Sequence, residues 1–400
     1  MNRMTTKKTN PWRAALAAGL ACMAATAQAE PAPWGKIKLS DVVQQVSLGG
    51  DLRLRYDAIS RRGANTVDRN RNRLRLRVGA DVQLPDNVLL GLRLASGTGE
   101  QASTNQTYGN LSSQKGIYID RAYAQWKPSL SPNGSITLTS GKMPMPLWWT
   151  YSSDLIWDPD LNPEGFGEGA QWILPNTGIQ VFANAMQMVA GEQSSAGKNQ
   201  WVFSQQLGAE TPLPMAGKLR LAAAYHKWSD ENRNAFAATC AQDGNRRTAA
   251  STSGVLLNRF GVGELTGQLS TAIDKTPLSF QATLARNFRA RNNDTTVTGP
   301  RARDGYQFGL ILGEAKAAHT WELAYFKKYA QTDATVADVA DSDFGDGGTN
   351  RSGHIFWAAY APASWLQLKA KYFVTNVIDP RLSPGDKAVN RLLADVSLRF

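Results

Sequence analysis

Apolar and polar residues alternate along most of this chain with a period of two. Over residues 46–57, Val46, Leu48, Leu52, Leu54 and Tyr56 alternate with Ser47, Asp51, Arg53, Arg55 and Asp57. Over 73–84, Leu74, Leu76, Val78, Val82 and Leu84 alternate with Arg73, Arg75, Arg77, Asp81 and Gln83. Successive side chains of a strand leave opposite faces, so each set takes one face. Helical spacing would instead lay Arg73 and Arg77 over Leu76 and Leu74, and no apolar stripe would survive. The same pattern predicts strands near 87–98, 117–127, 134–141, 165–174, 176–188, 200–210, 217–228, 261–273, 277–290, 303–314, 317–330, 350–362, 364–377 and 387–400, about 16 in all.

The connections alternate in length. Long ones at 60–70, 99–116, 142–164, 189–199, 229–260, 291–302, 331–349 and 377–386 alternate with short ones at 85–86, 128–133, 175, 211–216, 274–276, 315–316 and 363. That parity places both ends of the strand array on the short-turn side, as in an up-and-down barrel with periplasmic ends. The faces are also inverted relative to a soluble sandwich. One set is aliphatic and aromatic, the other Arg, Asp, Gln, Ser and Gly, which suits a wall between lipid and water. Trp126, Trp172, Trp201, Trp228, Trp321 and Trp365 fall at strand ends, where interfacial girdles are expected.

Composition then sharpens the picture. The 400 residues include 35 Gly, 36 aromatic residues and only 19% charged ones, a mixture suited to strands and turns. Two Cys and three His exclude a disulfide framework and make a multi-His metal centre untenable. Mean hydropathy is −0.35, too low for a helical bundle in lipid but natural for half-apolar strands joined by polar loops. The leader combines Arg3, Lys7, Lys8 and Arg13 with the apolar run 14–25 and Ala27-Gln28-Ala29, the three parts of a secretory signal. Residues 1–29 are therefore expected to be cleaved, 30–45 to form a short periplasmic segment and 46–400 the barrel. Losing four cations lowers the formal charge from +11 to +7 and leaves 371 residues. Cys22 leaves with the signal, and Cys240 remains as a lone thiol.

About 16 strands enclose an aqueous channel. Arg53, Arg55, Arg73, Arg75, Arg77 and Arg93 on early strands, with Arg391 and Arg399 on the last, are expected to form one basic wall. In a dry interior such a cluster would be prohibitive, so it implies water and a field that draws anions. The connection 142–164 holds Met143-Pro144-Met145-Pro146-Leu147-Trp148-Trp149 followed by Asp154, Asp158, Asp160 and Glu164, with Glu168 beyond. This segment is too apolar to float in water, and folding inward would set its five carboxylates against the arginines across a constriction. The final strand alternates Leu392, Ala394, Val396 and Leu398 with polar positions and closes on Phe400. It resembles the recognition signal of outer-membrane proteins read by the barrel-assembly machinery.

The stretch Trp157-Asp158-Pro159-Asp160-Leu161-Asn162-Pro163-Glu164-Gly165 resembles a recurrent segment of the putative porin family of Gram-negative bacteria. The likeness extends in outline through the Arg-rich strands, Asp120-Arg121-Ala122-Tyr123 and Phe400. It implies an all-β transmembrane barrel in the outer membrane, contacting lipid and lipopolysaccharide, that passes small hydrophilic solutes by diffusion. Barrels of this size are commonly homotrimers, an expectation by analogy. A channel specific for anionic solutes such as phosphate, carboxylates or acidic sugars is the second reading, and an outer-membrane hydrolase the third.

Against catalysis, Asp158 and Asp160 sit among other acids, where charge selectivity explains them better than an acid–base pair. His226, His319 and His354 are far apart and outside zinc spacing. The run 261–267 misses dinucleotide spacing by one residue inside an expected strand. The segment 341–347 resembles a calcium loop, but its glycine is one position early, so it reads as a solvated acidic loop. No cofactor or nucleic-acid partner is expected, since the basic excess follows strand parity behind a secretory signal.

Overall fold

A computed structural model describes residues 40–64, 66–192, 197–214, 217–232, 235–236, 244–248, 254–291, 302–382 and 386–400. The expected signal segment, most of 30–45 and Cys240 lie outside the described residues. The body spanning Val42–Phe400 is all-β. Its strands are β1 (Gln45–Gly63), β2 (Arg69–Leu84), β3 (Val88–Ser96), β4 (Gln106–Thr107), β5 (Ile117–Trp126), β6 (Gly134–Lys142), β7 (Glu164–Ile173), β8 (Gln180–Gly191), β9 (Gln200–Leu213), β10 (Gly217–Ser229), β11 (Gly261–Ile273), β12 (Thr276–Asn287), β13 (Asp304–Gly313), β14 (Thr320–Ala330), β15 (Arg351–Ala363), β16 (Leu366–Val377) and β17 (Asp386–Arg399).

Sixteen of these form a closed antiparallel barrel, each paired with its neighbours in sequence. The two-residue β4 is an addition that pairs with β2 where β3 has ended, setting Thr107 opposite Arg73. Closure comes from β1 against β17, with Asp51 opposite Arg399 and Ile59 opposite Arg391. At that seam Gly50 and Phe400 exchange backbone hydrogen bonds of 2.9 and 3.2 Å. The Phe400 ring lies where a side chain at position 50 would stand, so only glycine fits beneath it.

Period-two alternation sets the two faces. Leu54, Tyr56, Leu92, Leu284, Phe308, Leu323, Phe356 and Leu368 are exposed on the outside, where each presents apolar surface to lipid. Among the described residues no helix is long and apolar enough to cross a membrane, so any crossing is made by strands. The inner face is covered on the long-loop side by two apolar clusters. Met143, Leu147, Leu155, Ile156, Trp157 and Leu161 from the β6–β7 loop pack on Met186, Val202, Trp228 and Val262 of β8–β11. Phe344 from the β14–β15 loop packs with Phe326, Ile355, Trp357, Phe373 and Leu393 of β14–β17.

Two expectations change. Trp228 is 2% exposed and faces inward, stacked on Trp157 with ring centroids 6.3 Å apart, because it shares parity with buried Ala224 and His226. It does not belong to the interfacial girdle, in contrast to exposed Trp126, Trp172, Trp321 and Trp365. The first long connection is also shorter than the pattern implied. β2 starts at Arg69 opposite Ile59, and β1 runs on to Gly63 along β17, with Ser60 opposite Asn390.

Candidate constriction of the lumen

Parity brings the basic wall together. On β1, β2 and β17 the odd positions point inward, and the register sets Arg53 opposite Arg75 and Arg55 opposite Arg73 on one side and Asp395 opposite Arg55 on the other. Arg55 makes a two-pronged contact to Asp395 at 2.7 and 2.8 Å. Arg391 grips Asp57 at 2.9 Å on both oxygens, and Arg71 shares that carboxylate at 2.8 Å. Arg75 and Arg77 divide Asp51 at 2.8 and 2.7 Å. Arg93 pairs with Asp120 on β5. Arg399 lies at the exposed end of the seam opposite Asp51.

Two cations of the wall make no ion pair among the described residues. Arg53 bonds the Asn105 amide oxygen at 2.7 Å and has no carboxylate within ion-pair distance among the described residues. The Lys371 ammonium lies 5.7 and 4.7 Å from the rings of Trp357 and Phe373, also without a carboxylate among the described residues. At longer range Arg53 acts on Asp160 and Asp343, and Lys371 on Asp341 and Asp343.

The β6–β7 loop crosses the barrel and is fastened to several strands on the way. Its neck closes with Met143 N–H donating to Pro163 O at 2.9 Å. Gln206 of β9 clamps the Trp148 backbone from both sides at 2.8 Å, and Gln281 and Thr283 of β12 take the Ser152 and Ser153 hydroxyls at 2.7 and 2.8 Å. Asp154 reaches Lys328 of β14 at 2.9 Å. Trp157 stands edge-on to His226, centroids 5.3 Å apart. Asp160 then arrives at the wall, 3.7 Å from Arg75 and 3.6 Å from Arg77, and Asn162 accepts from Arg121 at 2.7 Å. Cavities of about 390 and 340 Å³ lie on either side of this layer. One is lined by Asp51, Arg77, Asp81, Arg93 and Arg121, the other by Glu100, Asp120, Asp160 and Asn162.

The three loop carboxylates have different fates. Burial pushes the Asp154 carboxyl up to about 6, with Asp341 adding to the effect and Lys328 opposing it. Asp158 is driven well above the usual carboxylate range by burial and by Asp160 and Asp341, and it accepts the backbone N–H of Ser342 at 2.9 Å. For Asp160, burial works upward, but Arg75, Arg53 and Arg77 outweigh it and hold the group below its ordinary value. Glu164 and Glu168 depart from the sequence expectation. Glu164 opens β7, exposed and paired with Lys142 at 2.6 Å. Glu168 shares parity with outward Phe166 and Trp172, while Gly167 faces inward where any side chain would meet Met143 and Pro146. Neither joins the crossing loop, because β7 begins at Glu164.

A second inward loop, 331–350, has no apolar signature in the sequence. The segment read as a solvated acidic loop is instead packed inside the barrel. Asp341 bonds Lys328 at 2.7 Å, Asp343 bonds Arg391 at 3.0 Å, and Asp346 bonds Arg61 at 2.7 Å. Burial works upward on Asp343, but Arg391 and Arg55 hold it well below the ordinary carboxylate range. The signal that anticipates this is charge matching: this loop's acids meet cations on the surrounding strands. Among the described residues no group of three or more His, Cys, Asp or Glu is placed to hold a metal ion.

Ser204, His226 and Glu264 on adjacent strands form a relay, with His226 2.9 Å from the Ser204 hydroxyl and 3.0 Å from the Glu264 carboxylate. Ser204 is 1% and His226 0% exposed. Trp157 caps the imidazole, so the relay anchors the crossing loop and offers no nucleophile to a solute.

The sequence model of a family described as "Putative porin" matches residues 62–258 and 255–400. No curated protein matches. Among solved structures, Pseudomonas putida OprB is similar at 10% identity and TM-score 0.54, covering 89% of this chain and 94% of that one. A triple mutant of the Rhodopseudomonas blastica porin is similar at 11% identity and TM-score 0.44, covering 89% and 100%.

Proposed function

The chain belongs to the putative porin family, outer-membrane β-barrel channels, and on that premise we propose that it is a passive diffusion pore preferring small anionic hydrophilic solutes. The observation that carries the preference is the unbalanced wall. Arg53 and Lys371 face the lumen without an acid partner among the described residues, beside guanidiniums that share Asp51 and Asp57. Selection is electrostatic: an anion trades part of its hydration for guanidinium contacts, while Asp160 on the crossing loop keeps those contacts from holding it too tightly. Solute transfer needs no cofactor or bond chemistry. The leader 1–29 would direct export through the periplasm, Phe400 would mark the chain for barrel assembly, and the barrel would work as a homo-oligomer, a trimer by analogy with barrels of this size.

A planar-bilayer recording under a salt gradient tests the reading. We expect steady conductance with a reversal potential on the anion side and no saturation by any single solute. Saturation by one anion would favour the specific-channel reading instead. Cation preference or absence of conductance overturns the proposal.

A further inference from the structure

One inward arginine stands apart from the wall on β1, β2 and β17. Arg220 of β10 lies in the angle between the rings of Trp148 on the crossing loop and Phe182 on β8, 4.6 and 4.5 Å from their centroids. The two rings hold the guanidinium in place. It makes no hydrogen bond among the described residues, and its buried Nε has no acceptor. The carboxylate of Glu210 is 3.8 Å away and closer to Lys218, at 3.3 Å.

Arg220 borders a cavity of about 350 Å³ under the neck of the crossing loop, roofed by Pro144, Met145 and Pro146. Its floor is Gly169 of β7, which the register sets between Thr137 of β6 and Asn184 of β8. A Cβ at Gly169 would come 3.3 Å from the Asn184 amide oxygen, so the missing side chain is what leaves the space open. On the same inward face, Ser135 stands opposite Gln171 and Thr139 opposite Gln125.

These neutral groups have spare hydrogen-bonding capacity. The Ser135 and Thr137 hydroxyls make no hydrogen bond among the described residues. Asn184 gives one N–H to Gln206 at 2.9 Å, and Gln125 gives one to Thr139 at 3.2 Å, which leaves both amide oxygens free to accept. Successive inward positions of a strand are about 6.7 Å apart, so Ser135, Thr137 and Thr139 form a ladder of hydroxyls beside the fixed guanidinium. An inorganic anion would engage Arg220 and leave the ladder idle, and a neutral sugar would do the reverse. A carboxylate on a polyhydroxylated chain engages the whole set. Its carboxylate takes the in-plane N–H groups of Arg220, while its hydroxyls bond the ladder and the amides.

We propose that this cavity is a subsite for sugar acids, monocarboxylates carried on polyhydroxylated carbon chains. The inference rests on the reading of the chain as an anion-preferring pore and names, within that class, the solute it favours. A subsite at the side of the lumen raises the flux of the solute that fits it and leaves the pore open to ions.

The test uses the full-length protein in proteoliposomes, with folding read by heat-modifiable migration. Initial swelling rates are compared in isosmotic potassium gluconate and potassium benzenesulfonate, with valinomycin carrying the cation, and in sorbitol. Gluconate has both the charge and the hydroxyls, benzenesulfonate only the charge, and sorbitol only the hydroxyls. Wild type should admit gluconate faster than either by about threefold or more. Ser135→Ala combined with Thr137→Val should lower the gluconate-to-benzenesulfonate ratio by about threefold or more, whereas Ser270→Ala, an inward hydroxyl of β11 outside the cavity, should not. Arg220→Lys keeps the charge but loses the planar fork, and should lower the gluconate-to-sorbitol ratio by a similar factor. Equal rates for the three solutes in wild type, or an unmoved ratio in either folded variant, overturns the proposal. Reversal potentials in a chloride gradient on the same preparations keep the two readings apart. An anion-preferring channel without gluconate preference loses the subsite alone, and a cation-preferring one overturns the pore reading beneath it.

Discussion

Asp343, in the loop between β14 and β15, accepts a hydrogen bond from Arg55 on the first strand at 3.1 Å, joining positions 288 apart in the chain. The same carboxylate meets Arg391 at 3.0 Å, so one side chain staples the second inward loop to both sides of the barrel seam. The wall is therefore also the anchorage of a loop. Replacing Asp343 by Asn removes a negative charge from the lumen and leaves two guanidiniums less compensated. The anion-to-cation permeability ratio should rise by about twofold or more, and channel noise should increase as the loop loosens. Reversal potentials under a salt gradient check this, and an unchanged ratio would refute the lumenal placement of that carboxylate.

Arg53 gives the complementary test. Its partner is an amide oxygen, so Arg53→Gln strands no buried acid and avoids the large cost of breaking a buried ion pair. Permeability should shift toward cations, in the opposite direction to Asp343→Asn. Neutralising Arg73, Arg75 and Arg77 together should shift it further, because Asp51 and Asp160 then lose their guanidiniums. A triple variant that folds and keeps its anion preference would show that the wall does not set selectivity.

The barrel was legible in the sequence because a wall between lipid and water imposes period two on every strand. The segment 261–273, expected from the alternation, is β11 with the same bounds. The arginine wall followed from the same alternation, since odd positions on β1 and β2 share a face. Loop 331–350 was misread because burial there rests on hydrogen bonds and ion pairs, which leave no hydrophobic periodicity. Asn245, for instance, donates to Thr332 O and Thr335 O and accepts from Ala337 N–H at 2.6 to 2.9 Å. Glu168 was grouped with the loop acids by proximity, although its parity with Phe166 and Trp172 already set it on the outer face.

Acid should strengthen the clasp between that loop and the β10–β11 loop. Asp333 is 1% exposed, bonded by Asn258 at 2.8 Å with Arg246 3.8 Å away. Burial pushes its carboxyl up to about 6, against the lowering effect of Arg246 and its hydrogen bonds. The folded state therefore holds this proton more tightly than the unfolded chain, whose ordinary value is 3.8. The stability it contributes is fully present below pH 3.8 and is lost as pH rises through about 6, a change of up to about 3 kcal/mol. Asp333→Asn should remove this part of the pH slope, so the thermal midpoint of the variant should fall less than that of wild type between pH 4 and 6.5. Parallel slopes would show that Asp333 is not the titrating group.

The crossing loop depends most on Trp157, whose indole fills the angle between His226 and Trp228 at 5% exposure. Trp157→Ala leaves a cavity and uncovers a buried histidine, at a cost of about 3–5 kcal/mol. The tethers at Gln206, Gln281 and Lys328 lie nearer the start of the loop, and beyond Trp157 only polar contacts of Asp158, Asp160 and Asn162 with Ser342, Arg75, Arg77 and Arg121 hold it, so the segment carrying Asp160 should loosen. Single-channel conductance should then rise and anion preference should increase, because Asp160 faces Arg75 and Arg77 less steadily. Phe at the same position keeps an aromatic edge against the imidazole and should restore most of the original conductance. A Trp157→Ala channel with unaltered conductance would mean that the polar contacts of Asp158, Asp160 and Asn162 hold the loop at the wall without Trp157.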